Sequence, residues 1–169
     1  RCNWEVARVN FPSALQILDF FHGMEHVGNL VKVFEVKDSP AAKKQLSQWK
    51  KRLLRDGVGE IISQATARLP KSGARRKAAQ GEIAYLEFNA QRMQYGTFRK
   101  QGYFIGSGVI EAGCKSVVGQ RCKLSGMHWS VAGANNVLEM RCLLASGGLW
   151  NQFWQNRQEQ RRARFALAA

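Results

Sequence analysis

The sequence predicts a mostly α-helical chain with a single β-strand, and that strand indicates an α/β parent fold. Along most of the 169 residues, apolar side chains recur at intervals of three and four, which is the spacing of one helix face. Residues 15–21 instead form a short apolar run of strand length after a helix breaker. Because a lone strand is not stable by itself, we expect it to be the edge or end of a sheet whose other strands lie upstream.

Start and stop signals divide the chain into elements. A short helix is predicted at 3–10, and it ends near Pro12 because the residue before a proline avoids helical geometry. After the strand, helical spacing begins at His22, and Ser39 is a predicted N-cap with Pro40 in the first helical position. The further predicted elements are helices at about 40–56, 58–69, 75–95 and 109–125, a glycine-rich loop at 96–108, and a helix capped by Ser130 that ends at Gly147.

The same spacing assigns apolar side chains and cysteines to the core. Val6 and Val9 are expected to face inward from the first helix, and Phe88 from the helix at 75–95. No Cys-x-x-Cys pair occurs, so a structural zinc site and a disulfide framework are both disfavoured. We expect reduced thiols in the core of a cytoplasmic protein. The cysteines are Cys2, Cys114, Cys122 and Cys142.

The chain is strongly basic, with 26 lysines and arginines against 12 acidic residues and a formal net charge of +14. Such an excess favours a polyanionic partner, because each neutralised phosphate releases counterions. No apolar run reaches the ~18 residues of a membrane span, and the chain starts without a signal-peptide pattern. We therefore expect a cytoplasmic protein with a nucleic-acid partner and no membrane contact, the alternative being a basic protein with no nucleic-acid role.

The positive charge is concentrated between residues 43 and 77, which hold eleven lysines and arginines and two acidic residues. One interpretation is a set of solvated helix faces, since charge runs usually are. The other is a surface that contacts phosphates, for which lysines and arginines in number are sufficient. The candidate nucleic-acid-binding residues, including three further along the chain, are Lys43, Lys44, Lys50, Lys51, Arg52, Arg55, Arg75, Arg76, Lys77, Lys115, Arg121 and Lys123.

A glycine-rich turn, Gly106-Ser107-Gly108, runs into a helix that carries Glu111 in its first turns. The glycines allow a close backbone approach, and a glutamate there can project toward a metal ion held by other carboxylates. Hydrolysis and transfer of phosphodiesters use such clusters, because two hard cations activate the nucleophile and stabilise the leaving oxygen. The alternative is an acidic residue favoured by the helix dipole and paired with Lys115.

A second motif, His22-x-x-Glu25-His26, places two imidazoles one turn apart on a helix. Two such side chains can hold Zn²⁺ and leave an open position for water, so a zinc metallopeptidase is one hypothesis. Its third ligand would be Glu82 or Glu87. The alternative is a helix start at which Asp19 accepts a hydrogen bond and the histidines pack at a polar edge.

Taken together and in this order, the two motifs resemble insertion-sequence transposases of the Kra type, relatives of the Mutator-like transposases. The likeness covers essentially the whole chain, and the block from Ile105 to Glu111 is its most specific part. The residues that carry it are Phe11-Pro12, Leu15 to His22, Glu25-His26, Ile105 to Lys115, Gln120-Arg121, Ser125 to Met127, Trp129 to Ala134, Leu138 to Arg141 and Phe153-Trp154.

The resemblance implies an RNase H-like domain with an Asp-Asp-Glu catalytic triad that uses Mg²⁺ or Mn²⁺. Glu111 would be the third acid and a metal ligand, and Asp19 with His22 would form the Asp-x-x-His element beside the active site. In an alternative alignment, Asp19 is itself the second acid. The implied domains are the end of the catalytic core at 1–21, a basic helical insertion at 22–100, and the glutamate helix with the C-terminal helices at 101–169.

Three functions compete at this point. A DNA transposase, which acts on transposon ends and target DNA and for which a homo-oligomer is one expected assembly, follows from the resemblance. A transposase remnant that binds DNA without catalysis needs only the basic surface, and the zinc metallopeptidase needs His22 and His26. Because the chain starts at Arg1 and holds one of the three family acids, we expect it to be the C-terminal piece of a longer protein and inactive alone.

Overall fold

The computed structural model describes residues 3–166 and shows an all-helical architecture. Turns, one 3₁₀ turn and one π-helical stretch join the α-helices, and residues 3–166 contain no strand or sheet. The prediction of an α/β, RNase H-like fold with a strand at 15–21 is therefore wrong. The helices form two compact units, the first ending at Ser107 and the second beginning at Gly108.

Residues 15–19 form an irregular connection rather than a strand. The Leu18 amide donates to the Arg92 carbonyl at 2.9 Å, and the Phe20 amide donates to the Ile105 carbonyl at 2.8 Å. A β-ladder needs successive bonds to one neighbouring strand, whereas these two bonds go to a 3₁₀ turn and to a loop. The apolar run is explained by burial of Leu18 and Phe20, which requires apolar side chains whatever the backbone conformation.

Between residues 3 and 107, the first unit contains six α-helices. They are α1 Asn3–Asn10, α2 Phe20–Phe34, α3 Pro40–Leu53, α4 Val58–Ala67, α5 Gly73–Asn89 and α6 Tyr95–Lys100, with a 3₁₀ turn at Ala90–Met93. The predicted helices at 3–10, 40–56 and 58–69 are confirmed, as is the Ser39 cap, whose side chain accepts the Ala42 amide at 3.1 Å. The helix predicted at 75–95 is instead divided by the 3₁₀ turn.

The core of the first unit is built from one side of each of α2, α3, α4 and α5. Leu30, Trp49, Leu53, Ile61 and Leu86 have no exposed surface. Full burial of a large apolar side chain is worth about 1.5–3 kcal/mol, so these contacts dominate the stability of the unit.

Some apolar residues that were expected to face inward lie on the surface. Val6 is 44% exposed, Val9 64% and Phe88 68%. Helix α5 turns Ile83 and Leu86 into the core, and Phe88, two residues after Leu86, therefore faces the other side. The inward assignment of Val6, Val9 and Phe88 is wrong.

From residue 108 to residue 166, the second unit contains shorter helical pieces followed by two long helices. They are α7 Gly108–Gly113, a π-helical stretch Cys114–Gly119, α8 Gln120–Cys122, α9 Val131–Ala145 and α10 Leu149–Ala166. Ser130 caps α9 as predicted, its hydroxyl accepting the Gly133 amide at 3.1 Å. The prediction at 109–125 is confirmed as helical up to Cys122, with an unexpected change to π geometry inside it.

None of the residues described in the second unit is fully buried. Cys114 and Cys142 are exposed and Cys122 is half-buried, so the prediction of core thiols is wrong for these three, while Cys2 lies outside the described residues. The three cysteines lie in three different helical pieces, and because no described residue of this unit is buried, helical spacing alone did not place their thiols in a core. Over residues 3–166, no helix combines the length and the apolar character needed to cross a membrane.

Candidate functional site

Asp19 joins the start of α2 to the glycine-rich loop. One carboxylate oxygen, Oδ1, accepts the His22 amide at 2.7 Å and caps the helix, whose first amides have no partner within it. The other oxygen, Oδ2, accepts the Ser107 amide at 2.6 Å. Two motifs that lie far apart in the sequence therefore meet at one carboxylate.

Two further hydrogen bonds hold the same junction. The Phe20 amide donates to the Ile105 carbonyl at 2.8 Å, and the Tyr95 hydroxyl donates to the Asp19 carbonyl at 3.4 Å. Burial raises the pKa of Tyr95 well above its usual range, and the charge of Asp19 adds to the shift. The hydroxyl therefore stays neutral and able to donate. Because the groups around Asp19 come from three separate segments, the junction is a tertiary feature.

His26 lies in a partly buried polar cluster between α2 and α5. Its Nδ1 is 2.5 Å from Oε2 of Glu82, and the Asn29 amide group donates to Oε1 of the same carboxylate at 3.1 Å. The Tyr85 ring stacks on the imidazole with 3.6 Å between ring centroids. A carboxylate accepts hydrogen bonds, so the contact with Glu82 favours the tautomer of His26 that has its proton on Nδ1 and leaves Nε2 as the acceptor.

His22 lies one helical turn before His26, with 4.9 Å between the ring centroids. Its Nδ1 is 3.3 Å from Oε2 of Glu25, and its side chain is half exposed. Glu82, one of the two candidate third zinc ligands, orients His26 through Nδ1, and the other, Glu87, is exposed. Within residues 3–166, no three His, Cys, Asp or Glu side chains are arranged to hold one ion. The peptidase hypothesis therefore gains no support from this part of the chain.

Glu111 lies in the second unit, in the first turn of α7, and is exposed. No group of three metal-ligating side chains forms around it among the residues that the structure describes. Its roles as third catalytic acid and as a ligand of Mg²⁺ or Mn²⁺ therefore stay predictions from the resemblance. Both carboxylate oxygens of Asp19, the other carboxylate that the resemblance assigns, accept backbone amides.

Four of the predicted basic residues lie together on one exposed side of α3, opposite the buried Trp49 and Leu53. We call this set the lysine face of α3. Its members are Lys43, Lys44, Lys50 and Lys51. At 1.5 Å of rise per residue, the lysine face extends about 12 Å along the helix. In the described part of the chain, none of its ammonium groups is in an ion pair.

Three of the other predicted basic residues of the first unit form ion pairs or hydrogen bonds within the chain. Arg52 pairs with Glu60 at 2.8 Å, and Arg75 and Arg76 each donate to a backbone carbonyl at 2.8 Å. Each of these contacts uses guanidinium N–H groups that could otherwise donate to a phosphate. Arg55 and Lys77 are exposed and make no such contact with residues 3–166.

The second unit holds the last three predicted basic residues. Lys115, Arg121 and Lys123 are all exposed. The Arg121 guanidinium lies over the Trp129 ring, 5.9 Å from its centroid, within the range of a cation–π contact. They stay candidate phosphate contacts.

Sequence reasoning missed three residues that make side-chain contacts between distant parts of the chain. Asn29 and Tyr85 complete the cluster around His26, and Arg92 donates to Gln16 at 2.9 Å. A signal for Asn29 was available, because it lies three residues after His26 on the same helix face. Arg92 gave no such signal, since its partner is 76 residues away in the chain.

Comparison with known proteins identifies no relative. No family model, no curated protein and no solved structure matches this chain.

Proposed function

We propose that this chain binds DNA as part of a DNA transposase, an enzyme that cleaves and joins DNA at the ends of a mobile element. The lysine face of α3 is the observation that carries the DNA-binding part of the proposal. It presents four ammonium groups that are not in ion pairs with carboxylates of the described residues, in a chain of net charge +14.

The dimensions of the lysine face suit the backbone of a DNA duplex. Duplex DNA carries one negative charge per ≈ 1.7 Å of its axis, so the ~12 Å of the face lies beside several phosphates. Contacts of this kind release counterions and carry no base sequence information. Trp49 and Leu53 anchor the opposite side of α3 in the core, so the lysines project from a rigid support.

The transposase part of the proposal rests on the resemblance and is supported by the contact between Asp19 and Ser107. That hydrogen bond joins the Asp-x-x-His element to the glycine-rich block that precedes Glu111. When bound in the intact enzyme, Mg²⁺ or Mn²⁺ would activate the nucleophile and stabilise the leaving oxygen. Glu111 is the one family acid assigned in this chain, so residues 1–169 alone are expected to bind DNA without cleaving it.

The DNA-binding proposal is tested by the salt dependence of binding to a labelled duplex of arbitrary sequence. Fluorescence anisotropy is measured for the chain, for a variant with alanine at the four lysines of the lysine face, and for a control variant. The control removes the same number of positive charges from α10 with glutamine. Its substituted residues are Arg157, Arg161, Arg162 and Arg164.

The slope of log K against log salt concentration decides the outcome. The slope is negative, and each phosphate contact that is lost makes it less steep by about 0.9. The α3 variant should therefore show a shallower slope and a weaker affinity than the α10 control. Equal losses in both variants would show that binding follows net charge alone and would contradict the assignment to α3. No binding by the unsubstituted chain at low salt would contradict DNA binding altogether.

A separate assay addresses catalysis. Residues 1–169 are incubated with DNA and Mg²⁺ or Mn²⁺, and cleaved or joined products are sought beside a Glu111→Gln variant. We expect no product from either chain. A product that the Glu111→Gln substitution abolishes would contradict the expectation that this chain is inactive alone, and it would establish Glu111 as essential.

A further inference from the structure

We propose that His22 and His26 bind a transition-metal ion, of the Zn²⁺ and Ni²⁺ class, through their two Nε2 atoms. The inference goes beyond the proposed DNA-binding function and does not depend on it. It uses the His-x-x-Glu-His motif, which the DNA-binding proposal leaves without a role.

Each of the two imidazoles has its Nδ1 beside a carboxylate. His26 Nδ1 is 2.5 Å from Glu82, and His22 Nδ1 is 3.3 Å from Glu25. Both contacts favour the proton on Nδ1 and leave Nε2 as a lone-pair donor when the ring is neutral. Metal-binding histidines usually have this arrangement, with the nitrogen that does not bind the metal donating to a carboxylate or carbonyl.

The surroundings of His26 hold its ring in one orientation. Glu82 is fixed in turn by Asn29, and Tyr85 stacks on the imidazole at 3.6 Å. His22 is half exposed one turn earlier, with 4.9 Å between the two ring centroids. The two ring planes are nearly perpendicular, at 83°, so the exposed His22 ring would turn to bring its Nε2 to the ~2.0–2.1 Å that separates a histidine nitrogen from Zn²⁺. His26 is therefore held in place before the ion binds, and His22 is the ligand that moves.

The ligand type selects the class of metal. Imidazole nitrogen suits zinc, nickel and copper, whereas magnesium and calcium prefer oxygen ligands. No third protein ligand is positioned among residues 3–166, so water would complete the coordination. Binding is therefore expected to be weaker than in a structural zinc site, which has four protein ligands.

Isothermal titration calorimetry tests the proposal with ZnCl₂ and NiCl₂, and with MgCl₂ for comparison. The protein is tag-free 1–169 with its four cysteines replaced by serine, which removes thiols as competing ligands. His22→Ala and His26→Ala are each expected to weaken binding tenfold or more. The matched control is His128→Ala, which removes the third histidine of the chain and should leave affinity unchanged.

Glu82→Gln tests whether the orientation of His26 by a carboxylate contributes to metal affinity, or whether two neighbouring histidines are sufficient. Loss of such an orienting carboxylate typically weakens metal binding roughly 10–100-fold, whereas an unprepared pair would be little affected. Thermal unfolding without metal checks that this variant folds, and Asn29→Ala replaces it if it does not. The proposal is overturned if no saturable zinc or nickel binding occurs, or if His128→Ala weakens binding as much as His22→Ala does. It is also overturned if the folded Glu82→Gln variant, or Asn29→Ala in its place, binds the metal as tightly as the unsubstituted chain.

Discussion

Replacement of Asp19 with alanine tests whether one carboxylate holds the two motifs together. The substitution removes the acceptor of the His22 amide at 2.7 Å and the acceptor of the Ser107 amide at 2.6 Å. Loss of a helix N-cap costs about 1 kcal/mol, and a hydrogen bond to a charged group is worth about 1.5–3 kcal/mol. The free energy of unfolding of Asp19→Ala should therefore fall by about 2–4 kcal/mol.

Ser39→Ala is the matched control for this substitution. Ser39 caps α3 through a single hydrogen bond to the Ala42 amide at 3.1 Å, so its loss should cost about 1 kcal/mol. Asp19→Asn should lie between the two, because an amide side chain keeps one acceptor oxygen. Urea unfolding followed by circular dichroism compares the three variants, and hydrogen exchange reports separately on the Ser107 amide.

Hydrogen exchange of the Ser107 amide shows whether Asp19 only caps α2 or also holds the glycine-rich loop. Exchange of its amide should become faster in Asp19→Ala and stay unchanged in Ser39→Ala. If Asp19→Ala loses no more stability than Ser39→Ala and the Ser107 amide exchanges as before, then Asp19 acts as an ordinary helix cap. The support that this contact lends to the transposase proposal would then be lost.

Two further predictions concern the packing of the first unit. A Cβ at Gly23 would lie 2.7 Å from the Tyr95 hydroxyl, so Gly23→Ala should lower the free energy of unfolding by about 1–3 kcal/mol. On the same helix, a Cβ at Gly28 would meet no atom closer than 4.0 Å, so Gly28→Ala should raise the free energy of unfolding by about 0.5–1 kcal/mol. Thermal unfolding compares the pair, and a loss in both variants would contradict the steric argument. The Asp56 carboxylate accepts the amide and hydroxyl of Thr97 at 3.0 and 2.8 Å, so Asp56→Ala should destabilise the chain by about 2 kcal/mol in urea unfolding. An Asp56→Ala chain as stable as the unsubstituted one would show that this cap of α6 is not formed in solution.

Most helices were predictable because their signals are local. The spacing of apolar residues, the Ser39 and Ser130 caps, and Pro40 in the first helical position each act within one or two turns of chain. The strand at 15–21 was predicted from an equally local pattern and was wrong. An apolar run shows that side chains are buried, but whether a strand forms depends on a neighbouring strand, which the described residues do not supply.

The sequence by itself determined the positive charge, the helical periodicity and the two motifs with their candidate residues, because composition and short-range spacing carry these properties. Tertiary structure alone decided that Asp19 accepts the Ser107 amide, and that Glu82 orients His26 instead of serving as a third metal ligand. It also decided which basic residues stay outside ion pairs on the lysine face of α3. These contacts join residues that are distant in sequence, and their partners are set by the packing of helices, which no local pattern encodes.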